Sequence, residues 1–159
     1  MSCCNCCCPS PEPAAQKAAY FAAWQTETLS NSSLYGGLRF QNYDYTKEDF
    51  NFGDTIITVI TPGTYIARYT IYVPAGSVLR TNIALQMNNV NIPSATVSID
   101  HTATDPAASY SAQAIVHADY LAALRLSSNN IINLTTTNTS ALASIIMYKI
   151  SDSQTVNPV

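Results

Sequence analysis

The residue types best suited to chemistry crowd the first eight positions, where Cys3, Cys4, Cys6, Cys7 and Cys8 are all five cysteines of the 159-residue chain. Thiols at this density can form disulfides, hold a soft metal ion as thiolates, or carry acyl chains. A disulfide needs Cα atoms about 4.4–6.8 Å apart with converging Cβ vectors. Adjacent residues of an extended chain meet that condition poorly, so pairing within one run is strained. The odd count leaves at least one sulfur per chain free, bound to metal, or joined to another chain. Interchain disulfides are the first expectation. Zinc is the rival, but a structural zinc site takes two separated ligand pairs, and this is a single dense run without a nearby His. Lipidation is the weaker alternative, because Ser2 stands where a myristoylation signal has Gly. No cofactor and no resident metal is expected.

Other reactive types are scattered. His101 and His117 have no second ligand at metal-like spacing and read as strand or turn residues satisfied locally. Asp44, Asp49 and Asp54 fall in an expected loop and could ligate calcium, but turn formation explains them more simply. The many tyrosines are expected to pack across strands and at interfaces. The chain contains no nucleophile elbow, P-loop or dinucleotide fingerprint, and an enzyme is not expected.

The cysteines are presented by Pro9-Ser10-Pro11-Glu12-Pro13, a segment that favours polyproline II and spans roughly 15 Å at about 3.1 Å per residue. Residues 1–13 therefore read as a Cys/Pro-rich connector, with Pro9, Pro11 and Pro13 as its stiff part, and residues 14–159 as one domain. That domain is long enough to bury a core without internal disulfides. Charged residues make up only 11% of the chain, its net charge is −3, and Lys and Arg occur singly. This removes the basic footprint of a nucleic-acid binder. It also weakens repulsion between copies. No apolar stretch is long enough for a membrane helix, so no membrane partner is expected. The N-terminus lacks the positive and apolar regions of an export signal, which leads to the expectation that the protein is made in a cytoplasm.

Past the connector, strand signals dominate. Residues 19–29 are assigned a first strand, with a short helix as the alternative, because the alanines here favour helix while Tyr20, Phe21 and Trp24 suit a strand. Turn clusters at 51–54, 61–64 and 74–76 bracket runs at 55–60 and 65–73. Ile83, Leu85 and Met87 alternate with small or polar residues, and Asn88-Asn89 predicts a tight hairpin into a run at 90–99. Further runs occupy 110–117, 121–126, 131–136 and 142–150. Eight to ten short strands at roughly ten-residue spacing predict an all-β sandwich or barrel. The closing run, LASIIMYKI, is apolar on both faces. One face enters the core and the other calls for a second subunit, which makes Leu142, Ile146, Tyr148 and Ile150 subunit-interface candidates.

The segments TPGTYIARYTIYVPAG, NIALQMNNVNIPSATVSI, SYSAQAIVHADYLAALRLSS and ALASIIMYKI, in that order, resemble the C-terminal domain of BclA-like proteins of bacterial spore exosporia, which are C1q/TNF-like jelly rolls. The resemblance covers residues 19 to 150. It implies a ten-strand jelly-roll sandwich forming a homotrimer, here preceded by an extended arm. The chain departs from that family in having no Gly-X-Y stalk: it has 5 glycines, none before Gly36. A short Cys-rich connector ahead of a jelly roll is similar in architecture to the subunits of endospore appendages, which are disulfide-linked fibres. The resemblances imply a structural, self-assembling subunit of a spore-surface fibre or exosporium layer, made in the mother cell, whose partners are copies of itself and other spore-surface proteins. A trimeric adhesion head anchored by its tail, and a thiol-centred storage role, are the alternatives.

Overall fold

The computed structural model describes residues 18–31, 36–136 and 140–152. A period of two governs its long elements, because successive Cβ atoms of a strand point to opposite faces. In β6 (Gly63–Val73), Tyr65, Ala67, Tyr69, Ile71 and Val73 are buried while Ile66 and Arg68 point outward. Around it the described residues form β1 (Tyr20–Gln25), β2 (Thr28–Ser30), β3 (Asn42–Tyr45), β4 (Phe50–Gly53), β5 (Ile56–Val59), β7 (Leu79–Met87), β8 (Val90–His101), β9 (Ala108–Ala118), β10 (Ala122–Ser128), β11 (Asn133–Thr135) and β12 (Ala143–Asp152).

Two antiparallel five-stranded sheets, ordered β3-β1-β12-β6-β9 and β4-β5-β10-β7-β8, face each other, and β2 and β11 make a small ribbon beside them. The first and last described strands are neighbours, and the long strands cross between sheets from β6 to β7, β8 to β9 and β9 to β10, with β7 and β8 as a hairpin within one sheet, which is the wrapping of a jelly roll. The all-β jelly-roll sandwich expected from the sequence is the observed architecture, its ten sheet strands supplemented by the ribbon.

Phe21, Tyr65, Tyr69 and Ile71 from one sheet meet Phe50, Ile57, Ile83, Leu85 and Leu124 from the other, all essentially inaccessible. The Phe50 ring lies 5.7 Å from Phe21 and 5.5 Å from Tyr65, ordinary spacings for attractive aromatic pairs. The Tyr69 hydroxyl crosses the sandwich to donate to the Ile83 carbonyl at 2.9 Å, with the Ala95 carbonyl at 3.2 Å. A buried hydroxyl so partnered ties the sheets at no desolvation penalty. Burial holds that phenol well above the ordinary tyrosine range.

Three expectations need correction. The single strand at 19–29 is broken, because the buried Gln25 side chain donates to the carbonyls of Thr26 and Thr28 and accepts from the Gln41 amide at 2.9 Å, while Glu27 adopts a φ of 54°. The short helix considered for this stretch does not form over Tyr20–Gln25. The region carrying Asp44, Asp49 and Asp54 is not one loop: Asp44 is in β3, Asp49 in the following turn, and Asp54 in the β4–β5 hairpin. The Asn88-Asn89 hairpin forms as expected, both residues having positive φ, 51° and 66°. The connector, with its cysteines and prolines, lies outside the described residues.

Candidate self-association surface

The two outer faces of the sandwich differ in chemistry. On the β4-β5-β10-β7-β8 sheet the outward residues include Asn51, Thr58, Arg125, Gln86, Asn82, Ser98, Arg80 and Asp100. Two pairs among them are joined: Arg125 Nε donates to Gln86 Oε1 at 2.8 Å, and Arg80 pairs with Asp100 at 2.9 Å. Its exposed surface is mainly polar, with Ile56 at the start of β5 also exposed.

The other sheet presents an apolar row. Tyr20 of β1 stands opposite Tyr148 of β12, Tyr148 opposite Ile66 of β6, and Ile66 opposite Ile115 of β9. Ile115 is 62% exposed, Tyr148 53% and Ile66 37%, with Trp24 and Ile150 on the flanks also exposed. One copy has no layer to cover them. Contiguous exposed apolar surface of this kind marks an interaction site. Polar groups frame it: the Tyr20 hydroxyl donates to Asp44 at 3.0 Å, and Arg68 and Gln113 are cross-strand partners in the next row. That hydrogen bond holds the Tyr20 phenol above its ordinary value, desolvation and the carboxylate's charge adding to it.

Of the four residues singled out in the closing run, Tyr148 and Ile150 are exposed on this side and Ile146 is half-buried between Ala22 and Arg68. Leu142 is corrected: it is fully buried in the chain's own core and its backbone bonds to Gln25 and Tyr72, so it is not available to a second subunit. The sequence reading missed Ile66, Ile115, Trp24 and Tyr20 as parts of the face. Tyr65-Ile66 and Ile115-Val116, adjacent apolar pairs in alternating strands, carry the same two-sided signal that marked the closing run.

The remaining candidates resolve into structural roles. The His101 ring is buried, with Nδ1 3.0 Å from the Ser77 carbonyl and Nε2 3.0 Å from the Pro106 carbonyl, and so clips two loops together. His117 Nδ1 lies 3.0 Å from Thr64 Oγ1 across the β6–β9 pair. Asp105 organises the turn after β8 by accepting from the Thr102 amide and hydroxyl, and those bonds hold its carboxyl below the usual value. Among the described residues no three His, Cys, Asp or Glu side chains converge as metal ligands, and no helix is long and apolar enough to cross a membrane.

This arrangement of strands recurs in solved structures. Murine APRIL superposes with a TM-score of 0.59 at 9% identity, over 84% of this chain and 100% of that one. The globular domain of zebrafish complement 1qA does so with a TM-score of 0.53 at 12% identity, over 82% and 94%. The fold is the C1q/TNF-like jelly roll. Identity this low carries the jelly-roll architecture and nothing finer. No protein-family profile and no curated protein matches the chain.

Proposed function

We propose that this chain is a structural, self-assembling subunit of a spore-surface fibre or exosporium layer. The jelly rolls associate as a homotrimer through the face carrying Tyr20, Tyr148, Ile66 and Ile115, and the arms of residues 1–13 join trimers through interchain disulfides among Cys3, Cys4, Cys6, Cys7 and Cys8. The observation that carries self-association is the uncovered apolar row on one sheet, opposite a mainly polar outer face on the other. The spore-surface assignment is supported by the four ordered segments that resemble BclA-like domains. The linking role of the arm is supported by the odd count of clustered thiols ahead of a proline spacer.

Synthesis in a reducing mother-cell cytoplasm fits a body that folds without disulfides, its sulfurs oxidising near or after lysis. Non-reducing gels and negative-stain microscopy of oxidised protein test the reading. Extended polymers that a reductant renders sensitive to denaturant are expected. Removing residues 1–13 leaves discrete trimers, and a deletion that still forms normal fibres refutes the connector role.

A further inference from the structure

At the side of the sandwich where edge strands β3 and β4 face each other, three aromatic rings form a partly open rim. Tyr43 is 54% exposed although it stands opposite the buried Ala23 and so points toward the interior side of its sheet. Its ring lies 5.8 Å from Tyr45 and 5.2 Å from Phe52, the latter edge to face. Tyr45 and Phe52 are themselves half-buried and anchored on Phe21, at 5.6 and 5.3 Å. The rim is thus rigid on its inner side and open on its outer side. Ridges of this kind bind proline-rich segments, whose stiff rings stack on aromatic faces at little entropic cost.

The chain carries one such segment, Pro9-Ser10-Pro11-Glu12-Pro13. We propose that the Tyr43/Tyr45/Phe52 rim is the seat of that segment from a neighbouring copy. The inference rests on the reading of the arm as a connector and supplies its receptor. In a three-residue-per-turn helix, prolines at positions 9, 11 and 13 fall on three different edges. A ring therefore meets the rim whichever way the arm is rotated.

Reach and direction decide between the arm's own body and another. The chain enters β1 at Tyr20, whose carbonyl accepts from the Thr46 amide, so the arm leaves beside the end of β3 that holds Tyr45. The antiparallel register of β1 and β3 points the start of β1 past the Tyr45 end of β3, away from Tyr43. Returning to its own rim requires a reversal within residues 14–17, Ala-Ala-Gln-Lys, which contain no Gly, Pro, Asn or Asp. Carried forward, those four residues add roughly 13 Å to the roughly 15 Å of the proline segment, enough to cross to a neighbour. The charged residues near the rim in sequence, Asp44, Lys47, Glu48 and Asp49, sum to −2 and do not attract Glu12. Stacking carries the contact, and added salt should not weaken association.

The test uses the full-length chain under reductant, where disulfides cannot form. Tyr43→Ser in the rim, and replacement of Pro9, Pro11 and Pro13 together by Ala in the arm, should each raise the concentration at which trimers associate by about tenfold per contact, more where three act together. Tyr43→Phe should retain association. Mixing rim-defective with arm-defective protein should restore contact and give discrete pairs of trimers in sedimentation velocity, because each pair still has one intact arm and one intact rim. If the arm variant dissociates but Tyr43→Ser does not, the seat is wrong and the connector stands. If neither dissociates, the connector reading fails as well. If each is defective alone and mixing restores nothing, the arm docks on its own body and the proposal is overturned.

Discussion

Replacing Ile115 by Asp is the sharpest test of the apolar row. In one copy Ile115 is 62% exposed, and its neighbours in register are Ile66 and, one strand further, Tyr148. Complete burial of an isoleucine contributes about 1.5–3 kcal/mol, so covering the part still exposed contributes about 1–2 kcal/mol per copy. Three copies lose roughly 3–6 kcal/mol on substitution, and three unpaired carboxylates in a dry contact add to the loss. At about 1.4 kcal/mol per decade, the trimer should weaken by at least two to four orders of magnitude.

Because the side chain points outward, the monomer should keep its circular dichroism. Ser98→Asp, on the polar face of the opposite sheet, serves as the control. Light scattering at micromolar concentration should find Ile115→Asp monomeric and Ser98→Asp trimeric. Ile115→Asp that associates at the same concentration as the parent protein, or a Ser98→Asp that dissociates equally, would refute the assignment of the face.

Two further outcomes concern the fold. Burial, then the charges of Asp49 and Asp152, push the Tyr65 phenol up to about 12, while an unfolded tyrosine titrates near about 10. The fold thus favours the neutral phenol, and this contribution is complete below pH about 10 and lost as pH rises toward 12. Tyr65→Phe gives up the hydrogen bond to the Thr61 carbonyl but should flatten the alkaline decline in stability, read as urea midpoint against pH; an unchanged slope contradicts the assignment. At the hairpin, Asn88 accepts from the Ala123 amide at 2.9 Å while holding a φ of 51°, so Asn88→Ala should cost about 1–2 kcal/mol whereas Asn89→Gly should cost nothing. Equal urea midpoints for the two variants would show that the turn does not fix this pairing.

Where alternation was long and punctuated by Gly, Pro or Asn, the strands were readable from the residues, as in β6, β7 and β8. The short edge strands were not. Asn42-Tyr43-Asp44-Tyr45 and Phe50-Asn51-Phe52-Gly53 carry the Asn, Asp and Gly that mark turns, and only pairing with β1 and β5 makes them strands. The kink after β1 was invisible because it depends on Gln25 being buried and reaching Thr28 and Gln41, contacts that no local pattern encodes. Of the exposed apolar row, only the closing strand's part was legible, through its two-sided apolar pattern. Register was needed to show that Tyr20, Tyr148, Ile66 and Ile115 fall in one row and that Leu142 belongs to the interior.

The entry into β1 and the end of β12 share one end of the sandwich: Tyr20 pairs with Tyr148, and Asp152 with Gly63, next to the turn at 46–49. The opposite end is closed by the loops that His101 clips together. Copies joined head to tail would form a filament with a direction wherever the rotation between them does not close a ring. Its two tips would present different surfaces, so growth, capping and attachment to a surface would be distinguishable events.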